Sequence, residues 1–139
     1  MTFGGARNLD LQFGSTFSVT ATGGGLNGAD VTLGNSRVRN NTASLLAGGL
    51  ALSGSCSMTG GEVSSNLASI GVGGIDLAFN TSTLRLDGTR VANNISTFFA
   101  ANAGGVEIHG GTLVSANADW GTLGDNSPAD ISLTVDGRT

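Results

Sequence analysis

The only histidine in the chain is His109, and Glu107 lies two residues before it. Both follow a glycine pair, Gly104-Gly105, and Asp76 follows another, Gly73-Gly74. If those segments stack as neighbouring strands, Asp76 and Glu107 stand side by side, roughly 5 Å apart. Like charges that close raise one of the two pKa values, and a carboxylate pair divides general-acid and general-base duties in this way. Asp76, Glu107 and His109 are therefore the candidate catalytic residues. The other outward positions of this face read Asn, Ala, Ser and Gly, and all six positive charges in the chain are arginines. Charges that merely keep a surface solvated are the plainer account, so no catalytic residue is assigned.

The remaining chemistry is thinner. Asp119, Asp125, Asn126 and Asp130 bring four oxygen-bearing side chains into one short segment, a donor set suited to Ca²⁺. They lack the spacing and closing glutamate of a calcium loop, and Asp125-Asn126-Ser127-Pro128 is first of all a turn signal. No metal and no cofactor is assigned. Gly23-x-Gly25-x-x-Gly28 matches a dinucleotide fingerprint by letter, but no helix start follows to receive a pyrophosphate. Cys56 is the only cysteine, which excludes an intrachain disulfide and reads as a small buried hydrophobe. Phe98-Phe99 is the most conspicuous apolar pair outside any alternating pattern. It is the candidate binding feature, for a partner or a neighbouring protomer.

Composition narrows what can position these groups. The chain has 139 residues, 24 of them glycine, and Gly, Ser, Thr and Asn together approach half of it. Such residues disfavour long helices, while a 39% hydrophobic content supplies a core. A net charge of −4 argues against nucleic acid as a partner. No apolar run is long enough to span a membrane as a helix. Met1–Gly5 shows no leader-like basic or apolar region, so an exported chain would lack its signal here.

The positioning device is a repeat. Gly24-Gly25-Leu26, Gly48-Gly49-Leu50, Gly73-Gly74-Ile75 and Gly104-Gly105-Val106 advance in steps of 24, 25 and 31 residues. Val38-x-x-Asn41, Val63-x-x-Asn66 and Val91-x-x-Asn94 advance with them. Between these markers apolar residues alternate, as in Leu50-x-Leu52 and Leu84-x-Leu86, which predicts two short strands per unit and a third near the Val-x-x-Asn element. A unit of three short strands is one coil of a parallel β-helix, in which equivalent residues stack. The expected inward columns are Leu33/Met58/Leu86, Val38/Val63/Val91 and Leu26/Leu50/Ile75/Val106. Asn41/Asn66/Asn94 should form an amide ladder at a left-handed turn, and Arg37/Glu62/Arg90 an outward ion-pair ladder. Thr32/Ser57/Arg85 breaks a hydroxyl column with a charge. The longer third step predicts loops over 78–83 and 95–103.

The glycine-glycine-aliphatic and Val-x-x-Asn motifs resemble the repeats of the polymorphic outer-membrane proteins, with Val in place of the family's Phe. Asp119-Trp120-Gly121 and the segment from Asp125 to Ile131 are similar to the closing segments of bacterial right-handed β-helix proteins. The resemblance implies a right-handed coil, export to the cell surface or medium, and a role in adhesion. The resulting expectation is an all-β chain, a right-handed single-stranded parallel β-helix of about four to five coils, forming one domain over 1–139. Within it, 1–23 is a first coil or cap, 24–117 the repeats and 118–139 a closing segment. The chain would serve as a non-enzymatic extracytoplasmic scaffold for adhesion or ligand display, with a glycan or protein as partner and self-association as a further option. A polysaccharide-active β-helix using Asp76, Glu107 and His109 is the alternative, since lyases and hydrolases of that fold work from acidic faces. A purely structural assembly module is the third reading.

Overall fold

A computed structural model describes residues 6–11, 16–17, 26–44, 47–79, 81–98, 103–122 and 124–134. Its ordered elements are all strands: β1 (Ala6–Leu11), β2 (Thr16–Phe17), β3 (Leu26–Gly34), β4 (Arg37–Arg39), β5 (Thr42–Ala43), β6 (Leu50–Leu52), β7 (Cys56–Thr59), β8 (Glu62–Ser64) and β9 (Leu67–Ala68). The series continues with β10 (Ile75–Leu77), β11 (Thr83–Asp87), β12 (Arg90–Ala92), β13 (Ile95–Ser96), β14 (Val106–His109), β15 (Thr112–Ala116) and β16 (Ile131–Thr134). No helix occurs among the described residues, and so none long and apolar enough to cross a membrane.

Every strand pairing among these residues is parallel and joins one coil to the next. Leu26 pairs with Leu50, Leu50 with Ile75, and Ile75 with Val106, so the glycine-glycine steps set the register. A coil has four strand positions. The second coil fills them with β6, β7, β8 and β9, and the third with β10 to β13. In the first coil β3 runs through the first two positions before β4 and β5. The fourth position follows the ladder asparagine and went unforeseen, because a two-residue strand is too short to show alternation.

Three coils are complete, fewer than the four to five expected. The coil before them is represented by β1 and β2, which pair with β3 and β4. The coil after them holds β14 and β15, and then its third and fourth positions shrink to the isolated bridges Arg90–Asp119 and Ile95–Ser127. Five residues separate Trp120 from Asn126, where two separate Val91 from Asn94. Thereafter β16 pairs with β14.

The predicted inward columns are observed, except that Leu26, paired with Leu50 at the start of the third, has a side chain outside the described residues. Leu33, Met58 and Leu86 form one, Val38, Val63 and Val91 another, and Leu50, Ile75 and Val106 a third, all fully buried. Burying a side chain of this size contributes about 1.5–3 kcal/mol, so the packed axis holds the fold together. The bridge at Asp119 places Trp120 next in the valine column, half-buried against the same core.

The glycine pairs have a steric cause. A Cβ on Gly49 would press 2.7 Å from the Gly74 carbonyl, and one on Gly74 would collide with the Gly105 carbonyl. Successive coils approach too closely there for any side chain. The insertions are shorter than the sequence implied, because Thr83 already belongs to β11 and Ile95–Ser96 is strand β13. Among the described residues they begin at Ala78 and at Thr97; Asn80 and residues 99–102 lie outside the described residues.

Candidate functional site

β10 and β14 are neighbours, with Asp76 opposite Glu107 as the repeat predicts. Alternation sets this up: Ile75 and Leu77 on β10, and Val106 and Ile108 on β14, are buried in the core, which turns the residues between them outward. Outward is not exposed, however. The side chains of Asp76 and Glu107 keep only 14% and 11% of their accessible surface. One rung earlier the column position is Ala51, itself buried with Ala47 and Val72.

His109 completes the group, with its side chain 42% exposed. Its Nε2 lies 3.3 Å from Asp76 Oδ1 and 3.9 Å from Glu107 Oε1. The geometry is that of an ion pair when the imidazole is protonated. No donor is aligned to hydrogen-bond the buried Asp76 Oδ1. Burial raises the Asp76 carboxyl above its ordinary value, the His109 charge pulls it back, and the Glu107 charge pushes it up again. A carboxyl with a raised proton affinity, set beside a second carboxylate and an imidazole, is the kind of group that acid–base chemistry uses. The structure thus brings Asp76, Glu107 and His109 together.

Asn41, Asn66 and Asn94 stack as predicted, and Asn126 is a fourth rung. The Nδ2 of Asn41 donates to Asn66 Oδ1 at 2.9 Å, that of Asn66 to Asn94 Oδ1 at 2.9 Å, and that of Asn94 to Asn126 Oδ1 at 3.0 Å. The amides also tie off core carbonyls: Asn66 donates to Val38 O, Asn94 to Val63 O and Asn126 to Val91 O. The left-handed conformation falls one residue before each of the first three rungs, on Asn40, Ser65 and Asn93, rather than on the ladder residues.

The four oxygen-bearing residues near the C-terminus serve two ladders and a turn. Asn126 ends the amide ladder and donates to Asp130 Oδ1 at 2.9 Å. Asp119 pairs with Arg90 Nε at 3.2 Å, which extends the Arg37/Glu62/Arg90 column by one rung of alternating sign. Asp125 accepts from the hydroxyl and backbone N–H of Thr122, which hold its carboxyl below the usual range. Among the described residues no three His, Cys, Asp or Glu side chains gather to hold a metal ion. Arg37 and Arg39 share Glu62 Oε1 at 3.6 and 3.7 Å, while Glu62 and Arg90 are register neighbours that form no ion pair, so the expected ladder is interrupted at that step.

Cys56 is buried in the core, and burial pushes its thiol up to about 12. Phe98 is half-buried and Phe99 lies outside the described residues. The aromatic side chain most open to solvent among those described is Phe79, 53% exposed in the first insertion. Sequence reasoning passed it over because a single Phe beside a strand end reads as core.

The fold and its side-chain columns define a parallel β-helix protein, a short solenoid with one acidic face and one amide ladder. No protein-family profile, curated protein or solved structure matches the chain.

Proposed function

We propose that this chain is a non-catalytic β-helix scaffold that works outside the cytoplasm, displaying side chains of its outer faces to a glycan or protein ligand in adhesion. The glycine-glycine and Val-x-x-Asn elements that resemble outer-membrane repeats are the stacking positions of this solenoid, which supports placing it among surface-displayed rods of that type. One observation carries the reading. The strongest chemical cluster, Asp76 and Glu107, is largely covered, so a substrate could reach little beyond the His109 ring. Carboxylates so covered are poorly placed to attack a ligand.

A polysaccharide-active reading has its own support in the raised Asp76 carboxyl beside Glu107. The two separate on polygalacturonate and on a panel of surface glycans. A scaffold is retained on a ligand without shortening it. Release of shortened or unsaturated products, lost in Asp76→Asn/Glu107→Gln while the far-ultraviolet spectrum stays unchanged, would overturn the scaffold reading.

A further inference from the structure

The second strand position of the coils carries a feature that neither ladder absorbs. A groove of about 310 Å³ opens across the outer face of β3, β7 and β11, with Thr32, Ser55, Ser57, Thr83 and Arg85 along it and the apolar Val31 and Cys56 also in its lining. Thr32, Ser57 and Arg85 are consecutive partners in register, so two hydroxyls and a guanidinium stand in a row at the inter-strand spacing, about 4.8 Å per step. The volume is at the small end of ligand pockets, roughly 300–1,000 Å³, and fits about one sugar ring.

Arg85 is the exception among the arginines. Of the four whose side chains are described, Arg37 and Arg39 pair with Glu62 and Arg90 pairs with Asp119. Arg85 makes no ion pair or hydrogen bond to any described residue, in a chain of net charge −4. The hydroxyls of Thr32, Ser57 and Thr83 are likewise uncommitted among the described residues. Ser55 acts as a fastener, its Oγ accepting the Thr83 N–H at 3.0 Å and so tying the third coil to the second at the groove's rim. Beneath the row, Cys56 and Leu84 are core residues, so the groove has a rigid floor.

We propose that this groove binds the oxyanion of an acidic saccharide, a uronate carboxylate or a sugar sulfate, with Arg85 as the anchor. A guanidinium fork matches two oxygens of such a group at once. The flanking threonine and serine hydroxyls can both donate to and accept from sugar hydroxyls. No aromatic side chain lines the groove, so a nucleobase would find nothing to stack on. Parallel register fixes the backbone positions of the row, so the ordering that binding requires is confined to the side chains, chiefly that of Arg85. The proposal names the ligand class for the display reading above and rests on it.

The test is calorimetric titration of the full chain with trigalacturonate, a sulfated heparin disaccharide and neutral maltotriose at one fixed ionic strength. Binding of trigalacturonate or of the sulfated disaccharide, at least tenfold weaker in Arg85→Gln and only partly restored in Arg85→Lys, supports the groove and tells carboxylate from sulfate. Asp76→Asn/Glu107→Gln should bind as the wild type does. Equal binding of maltotriose, or acidic-saccharide binding indifferent to Arg85→Gln, overturns it. Retention of the chain on neutral glycans or proteins with no binding of either acidic probe also overturns the groove but leaves the scaffold standing. A backbone amide NMR spectrum of Arg85→Gln that overlays the wild type away from the groove excludes misfolding as the cause of lost binding.

Discussion

Two polar columns run along this solenoid, and both are largely hidden from water. In the asparagine ladder each amide has a donor and an acceptor, so one rung completes the next without limit. At the acidic face Asp76 and Glu107 present acceptor beside acceptor, with a single half-exposed His109 to mediate. The ladder leaves its amides bonded from Asn41 through Asn126. The acidic face leaves Asp76 Oδ1 buried with no hydrogen bond. Repetition therefore stabilises a self-complementary side chain and penalises one that is not, which accords with an amide on four successive coils and a carboxylate on only two.

The sharpest way to break this contrast is Asn66→Ala. It strands the Val38 carbonyl and removes the acceptor used by both the backbone and side-chain nitrogens of Asn41. Each buried group left unpaired costs about 1–3 kcal/mol, so a loss of about 3 kcal/mol is expected in urea denaturation. Gly74→Ala should follow closely. Its new Cβ would drive into the Gly105 carbonyl and sit 3.2 Å from the Asn94 side-chain amide, and overpacking of that kind costs about 1–3 kcal/mol. If either variant denatures at the wild-type midpoint, the ladder is not what joins the coils.

Asp76→Asn should behave in the opposite sense. The folded-state carboxyl lies above its ordinary 3.8, so just above that pH the native protein binds more protons than the unfolded chain. Stability then falls as pH rises through the window between the unfolded and the raised folded value. The amide that replaces the carboxyl cannot ionise, so the variant loses that fall and is at least as stable as the wild type at neutral pH. Denaturation midpoints of the two proteins, taken from about pH 3 to about pH 7, give the difference directly and cancel the contribution of Asp125. A variant markedly weaker at neutral pH would make Asp76 a clasp like the asparagines.

The sequence disclosed these columns unevenly, for physical reasons. Leu33/Met58/Leu86 and Val38/Val63/Val91 were legible because stacked coils demand similar side chains at similar depth. The pairing of Asp76 with Glu107 followed from the glycine pairs alone. Asn126 was hidden, because five residues separate it from Trp120 where two separate Asn94 from Val91. Set among acidic neighbours, it read as part of a cation site. Trp120 dropped out of the valine column for the same reason. The left-handed column Asn35/Gly60/Gly88/Asn117 was masked by the interchange of Asn and Gly, both of which accept that conformation. Burial of the two carboxylates was not readable at all. Period-two alternation assigns a residue to a face but says nothing of how deeply that face is covered.

The smallest effect belongs to the third polar column, which calibrates the other two. Arg37, Glu62, Arg90 and Asp119 alternate in sign along the outside, with Arg37 and Asp119 well exposed. Here the partners are complementary, as in the ladder, but the arginines and Asp119 stay well exposed and only Glu62 is largely covered, so pairing mostly replaces hydration rather than relieving its absence. Glu62→Gln should cost about 0–1 kcal/mol, with the difference shrinking as salt is added. Glu62 serves both Arg37 and Arg39, which places it at the upper part of that range. A double-mutant cycle between Arg37→Ala and Glu62→Gln, read from urea midpoints at low and high salt, isolates the pair. A coupling as large as the asparagine ladder's, or one indifferent to salt, would mean that complementarity alone sets the energy of a column and that its shielding from water does not.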